Sequence, residues 1–162
     1  MATEKFSDSL SAGTHAHLQK LVGNWEGTTN TYFEPGVLAD SSITKAQIKS
    51  ILGKQFLQME YTSTMQGKPV EGLAIIGFYL VKREYTIAWI DSFHTGTQVL
   101  VSQGKEGQIN VMGHYGDPSG GPDWGWRTAI EQSSDDAFVL CHFNVLPTGE
   151  EALAVETHFH KV

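Results

Sequence analysis

The chain has 162 residues, 40% of them hydrophobic, which allows one domain with a real core and excludes a chain disordered by composition. A net charge of −7, with only 11 lysines and arginines, excludes a basic face for nucleic acid or an anionic membrane. Its one cysteine, Cys141, excludes an internal disulfide framework.

The first residues, Met1-Ala2-Thr3-Glu4-Lys5, carry no apolar segment of the secretory kind. The most apolar run, Leu73 to Val81, is about half the roughly 20 residues that a membrane helix needs. A cytoplasmic protein with no membrane and no nucleic-acid partner is expected. Residues 1–13 are polar and read as a flexible N-terminal arm, with one domain over 14–162. Thr14 is placed to cap a short helix over His15 to Val22, in which Leu18, Leu21 and Val22 form one apolar stripe. Gly23 follows as its left-handed stop. A helix this short does not stand alone in water, so it is expected to lie across one end of the rest of the domain.

Beyond Gly23 the apolar period changes to two. About ten strands are predicted, near 24–33, 39–51, 54–65, 69–81, 84–93, 97–104, 107–116, 123–132, 137–146 and 151–161. Turn chemistry separates them: Glu34-Pro35-Gly36, Leu52-Gly53-Lys54, Gln66-Gly67-Lys68, His94-Thr95-Gly96, Lys105-Glu106-Gly107 and Pro147-Thr148-Gly149. This regular spacing predicts an all-β, antiparallel up-and-down barrel, because closure removes exposed edges. The longest loop, Gly116 to Pro122, is rich in Gly and Pro and is either a plain connection or a gate at a cavity mouth.

An ordered series of short motifs runs through most of the chain. It begins with Leu21-Val22-Gly23-x-Trp25-x-Gly27, Glu34-Pro35-Gly36 and Phe56-Leu57-x-x-Glu60-Tyr61. It continues with Met65-x-Gly67-x-Pro69-x-x-Gly72-x-x-x-x-Gly77-Phe78 and Trp89-Ile90-Asp91-Ser92, and ends with Arg127 and Glu156-x-x-Phe159-x-Lys161. In these residues the chain resembles the domain-of-unknown-function family 1579, whose members look like lipocalin-like, calycin-type barrels. The departures are Phe78-Tyr79 where the family tends to Tyr-Asp, and Phe159 and Lys161 where it favours Tyr and Arg. The resemblance implies a fold and no activity. In such barrels a Trp at the position of Trp25 plugs the closed end, and a cation of the last strand stacks on it. Trp25 and Lys161 are therefore the expected structural plug.

Asp91 is the polar residue that most needs an explanation. Tyr85, Ile87, Trp89, Asp91 and Phe93 share one face of the fifth strand. The bulky face should point inward, and an inward carboxylate needs a partner. Arg127 is the candidate partner, with Glu156 and Glu60 as further members of such a network. Trp124 and Trp126 occupy the face opposite Arg127. Either the indoles face the interior and Arg127 faces out, or a bulge breaks the alternation. Tyr61, Phe78, Trp89, Trp124 and Trp126 are the candidate walls of an interior ligand site, and Asp91, Arg127 and Glu156 its polar anchors.

Other chemistry has less support. His158-x-His160 places two imidazoles on one face of a strand, and His114 and His142 lie on other strands, without the spacing of a metal site. Nitrobindins, small barrels of similar type, hold haem through one His of the last strand, which does not align with His158 or His160. No metal and no cofactor is expected. Fatty-acid-binding proteins are similar at a last strand reading Arg-x-Tyr-x-Lys-Val. Here the run is Thr157-x-Phe159-x-Lys161-Val162, without the charged clamp. A neutral or cationic apolar ligand therefore suits the interior better than a carboxylate. Cys141 and His142 are neighbours on a strand and point to opposite faces, so they form no thiolate pair.

The expected function is binding of a small apolar or amphipathic molecule inside the barrel. The alternatives are an isomerase or hydrolase using Asp91 or His114, and a filled barrel acting as a structural or protein-interaction module. A homodimer is the default assembly.

Overall fold

A computed structural model describes residues 2–162. Two short helices, α1 (Phe6–Ala12) and α2 (Thr14–Gln19), precede ten strands. The strands are β1 (Gly23–Glu34), β2 (Val37–Ile51), β3 (Phe56–Met65), β4 (Lys68–Tyr79) and β5 (Glu84–Asp91), then β6 (Leu100–Lys105), β7 (Ile109–Tyr115), β8 (Trp124–Ser134), β9 (Ala137–Val145) and β10 (Glu151–Lys161). Each pairs antiparallel with its sequence neighbours, and β10 returns to β1, so the sheet closes as an up-and-down barrel. Among the described residues no helix is long and apolar enough to cross a membrane.

Alternation places the core. On β5, Tyr85, Ile87, Trp89 and Asp91 are buried while Ile90 is exposed. The β3–β4 hairpin turns on Gln66 (φ 49°) and Gly67 (φ 78°), two successive positive φ values, as a tight right-twisting hairpin requires. Gly27 permits closure: a Cβ there would strike the backbone carbonyl of His158 on β10.

The helices cover the end of the barrel where Leu18, Leu21, Trp25 and Phe138 are buried. Trp25 Nε1 donates to the Leu21 carbonyl (2.9 Å), and its ring meets Phe138 edge-on at 4.7 Å. Lys161 Nζ stands 5.0 Å from the indole centroid, within cation–π reach. Gly23 has φ 151°, and a Cβ there would lie 3.0 Å from Lys161 Cε. The glycine therefore makes room for the lysine stem on its way to the indole. Lys161→Met should lower stability by about 0.5–1 kcal/mol in chemical denaturation, with the opposite end of the barrel unaffected.

Three details of the N-terminal region differ from the expectations. The expected flexible arm contains α1, held by Ser9 Oγ to His15 Nδ1 (2.8 Å), by Phe6 against His15 (4.9 Å), and by Glu4 to Arg83 (2.6 Å). A seven-residue helix held by side-chain contacts to His15 of α2 leaves little periodic signal. Thr14 is the first helical residue of α2, and Gly13 is its N-cap. The helix ends at Lys20 in a tightened turn, Leu21 N to Leu18 O, so Gly23 opens β1 and does not terminate α2.

Candidate functional site

The end of the barrel opposite the helices carries the β5–β6 loop, residues 92–99. The expected strands 84–93 and 97–104 are shorter there, because Asp91 folds the chain back on itself. Its Oδ1 accepts backbone N–H bonds from Phe93 (3.0 Å), His94 and Thr95 (3.0 Å). Its Oδ2 accepts from Tyr61 Oη (3.0 Å) and His94 Nδ1 (2.8 Å). Trp89 Nε1 donates in turn to Tyr61 Oη (3.2 Å). Only 1% of the Asp91 side chain is exposed. Burial opposes its charge, but the bonds from His94 and the loop amides outweigh burial and hold the carboxyl well below the usual carboxylate range. Burial first, and then the Asp91 charge, push the Tyr61 phenol upward, so it stays a proton donor.

Tyr61 reaches Asp91 by crossing Gly72, its cross-strand partner on β4. A Cβ at position 72 would sit inside the Tyr61 ring. Gly72→Ala should therefore displace the phenol from Asp91 and cost about 1–3 kcal/mol, read by urea denaturation together with a shift of the Trp89 indole N–H resonance.

Beneath this network lies an interior cavity of about 50 Å³. One wall is aromatic. His142 on β9 stacks on Trp126 (5.2 Å, 23° between planes) and meets Trp89 edge-on at 4.9 Å. His94 lies over Trp126 at 5.5 Å, and Phe93 stacks on exposed Phe33 at 6.4 Å. The other wall is hydroxylic and crosses four adjacent strands. Thr157 (β10) meets Thr29 (β1) at 2.7 Å, Thr29 meets Thr44 (β2), and Thr44 donates to Ser63 (β3) at 2.7 Å. His142 is 5% exposed and its Nδ1 lies 2.9 Å from Thr128 Oγ1. Burial, and then the nearby His94, lower its pKa to about 3, so the imidazole is neutral at physiological pH.

The expected site residues divide between two ends and two faces. Tyr61, Trp89, Asp91 and Trp126 converge at the open end. Trp124 lies near its rim, 6.4 Å from Tyr115. Phe78 is buried at the helix-covered end, 5.0 Å from Tyr85 and 6.0 Å from His15. The indoles face inward and Arg127 outward. Arg127 grips Glu151 with Nε (2.8 Å) and Nη2 (2.9 Å) and lies 4.0 Å from the Phe143 ring. The Asp91–Arg127 pair is thus absent, and Asp91 is answered by Tyr61 and His94. Glu156 is on the outer face with His158 (2.9 Å), and Glu60 accepts from Gln58 (2.7 Å). His114 is exposed and meets Gln98 through its carbonyl, so it forms no pair with Asp91. Among the described residues no three His, Cys, Asp or Glu side chains are grouped to hold a metal. A larger depression, about 930 Å³, lies outside the barrel and is lined by outward side chains of β1 to β5 such as Glu26, Lys45, Glu60 and Ile90.

The molecule is therefore a closed ten-stranded antiparallel barrel with a buried polar network at its open end. The chain belongs to the family described as protein of unknown function DUF1579, which matches residues 11–161. No curated protein matches the chain. Among solved structures it is similar to an S-type phycobiliprotein lyase, CPES, from Guillardia theta, with 10% identity, a TM-score of 0.58 and coverage of 98% of each chain. It is also similar to a de novo designed fluorescence-activating β-barrel, with 14% identity, a TM-score of 0.48 and coverage of 89% of this chain and 95% of that one. At 10% identity the likeness to the lyase describes the path of the chain.

Proposed function

We propose that the protein binds a small, largely apolar molecule inside the open end of its barrel and sequesters it without transforming it. One observation carries this reading: Thr29, Thr44, Thr157 and His142 turn inward onto a shared space near one end of the barrel. The hydroxyls bond one another, but His142 Nε2 has no partner among the described residues, and burying such a group costs stability unless something bonds it. Tyr61, Trp89, Met59 and Phe159 supply the apolar surface, and its burial contributes roughly 25 cal/mol per Å². Asp91 acts in this reading as the brace of the mouth: all its bonds go to the loop and to Tyr61. The outer depression fits less well, because a binding site encloses most of its ligand.

The cavity volume favours a second reading. About 50 Å³ is well below the roughly 150 Å³ that admits a benzene ring, so binding requires Phe93 and the 92–99 loop to move outward. A barrel that never opens would be a filled structural or interaction module. Native mass spectrometry of protein purified from its own host separates the two. Binding predicts a second mass series above the bare chain that disappears on denaturation. A bare chain alone, in protein that also takes up no added small apolar probe, supports the filled barrel.

A further inference from the structure

The hydroxyl wall has a direction. A hydroxyl carries one proton. Ser63 Oγ donates to the Ile43 carbonyl (3.4 Å) and accepts from Thr44. With the Thr44 proton committed, Thr29 must donate to Thr44, and Thr157 must donate to Thr29. Thr157 Oγ1 is left with lone pairs and no proton to give. Thr157 pairs with Leu140 across β10 and β9, and His142 is two residues further along β9. Thr157 and His142 are therefore diagonal neighbours, about 7–8 Å apart, both facing the cavity. Nδ1 of this imidazole is engaged by Thr128, and among the described residues Nε2 has no partner. Among those residues, too, no Lys, Arg, Asp or Glu side chain lines the cavity.

We propose that this pair recognises the hydroxyl group of an uncharged ligand, which donates its proton to Thr157 Oγ1 and accepts one from His142 Nε2. The arrangement requires the imidazole proton on Nε2, with Thr128 donating to Nδ1. A carboxylate would meet no lysine or arginine, would face the Thr157 lone pairs, and would find His94, which also lines the cavity, already paired with Asp91. An ammonium would enter with no free carboxylate, since every bond of Asp91 is taken by the loop and Tyr61. Burial of either charge is prohibitive without a partner. The inference names the ligand class for the binding reading above and rests on it.

The test uses the full-length protein, isotope-labelled, titrated at neutral pH with four probes of matched size: benzyl alcohol, toluene, benzoate and benzylammonium. Benzyl alcohol should bind about tenfold more tightly than toluene, the worth of a well-made pair of buried hydrogen bonds, and should shift the His142 ring resonances. Benzoate and benzylammonium should not bind measurably. His142→Phe should reduce benzyl alcohol to the affinity of toluene, and Thr157→Val provides the same comparison at the other anchor. The wild-type ranking of the four probes stands without either variant. Benzoate or benzylammonium binding as tightly as benzyl alcohol, or equal binding of toluene and benzyl alcohol, overturns the inference and leaves the binding reading intact. No binding by any of the four overturns both.

Discussion

Replacing Asp91 by alanine should lower folding stability by about 3–5 kcal/mol, as loss of one partner from a buried charged network does. The substitution removes the acceptor for Tyr61 Oη, for His94 Nδ1 and for the backbone amides of Phe93, His94 and Thr95. Each donor left buried costs on the order of 1–3 kcal/mol, and those that can reach water by loosening the loop will do so. The loss should therefore come with faster amide exchange over 92–99 and little change at the helix-covered end. Asp91→Asn keeps one oxygen for the loop amides and should cost about half as much. A loss under about 1 kcal/mol for the alanine variant in urea denaturation would show that the network does not brace the mouth. The carboxylate is depressed in the folded state, so its contribution is complete above about pH 4, the unfolded value, and is lost as pH falls toward the folded one.

His142 should give the second large effect, at milder acidity. Its folded pKa is held to about 3, first by burial and then by His94, while Asp91 pulls the other way. An unfolded histidine titrates near 6.5, so between these values the unfolded chain binds the extra proton and stability rises with pH. From about pH 6.5 down to about 4.5 the wild type should lose about 2 kcal/mol, at most about 1.4 kcal/mol per pH unit. His15, also lowered by burial, adds a loss of the same sign. The relevant quantity is therefore the wild type minus His142→Phe, measured by urea denaturation at several pH values. Equal slopes in the two proteins would mean that the His142 environment takes up a proton without difficulty.

The barrel was legible because its punctuation is local. Pro35-Gly36, Gln66-Gly67 and Thr148-Gly149 mark hairpins by backbone demands that no packing alters. Trp25 and Lys161 lie 136 residues apart by their numbers, yet strand count and family pattern placed them at one end. The polar site was only half legible. Asp91 could be picked out as a carboxylate on the bulky face of a strand. Its partner could not, because His94 sits in a segment that reads as a turn, and alternation ends where the strand ends. Alternation did frame the question at Arg127, and the inward indoles of Trp124 and Trp126 answer it. The hydroxyl wall was invisible for a different reason. Thr29, Thr44, Ser63 and Thr157 meet only through the registers of four strands, and a threonine on a strand is ordinary by itself. The signal available was their inward parity, shared with core residues such as Trp25, Ala46, Met59 and Phe159 on the same strands.

The four indole N–H resonances offer the most direct test of an interior site, since they sample different regions of one molecule. Trp25 is sealed at the helix end, Trp89 borders the cavity, Trp126 backs its His142 wall, and Trp124 lies near the rim. Labelled protein, first stripped of ligand by unfolding and refolding, would be mixed with a small-molecule extract of its own host. The interior-binding account predicts that the Trp89 and Trp126 signals and the His142 ring move together while Trp25 stays in place. No movement, or movement confined to outward residues such as Ile90 and Val99, would contradict it.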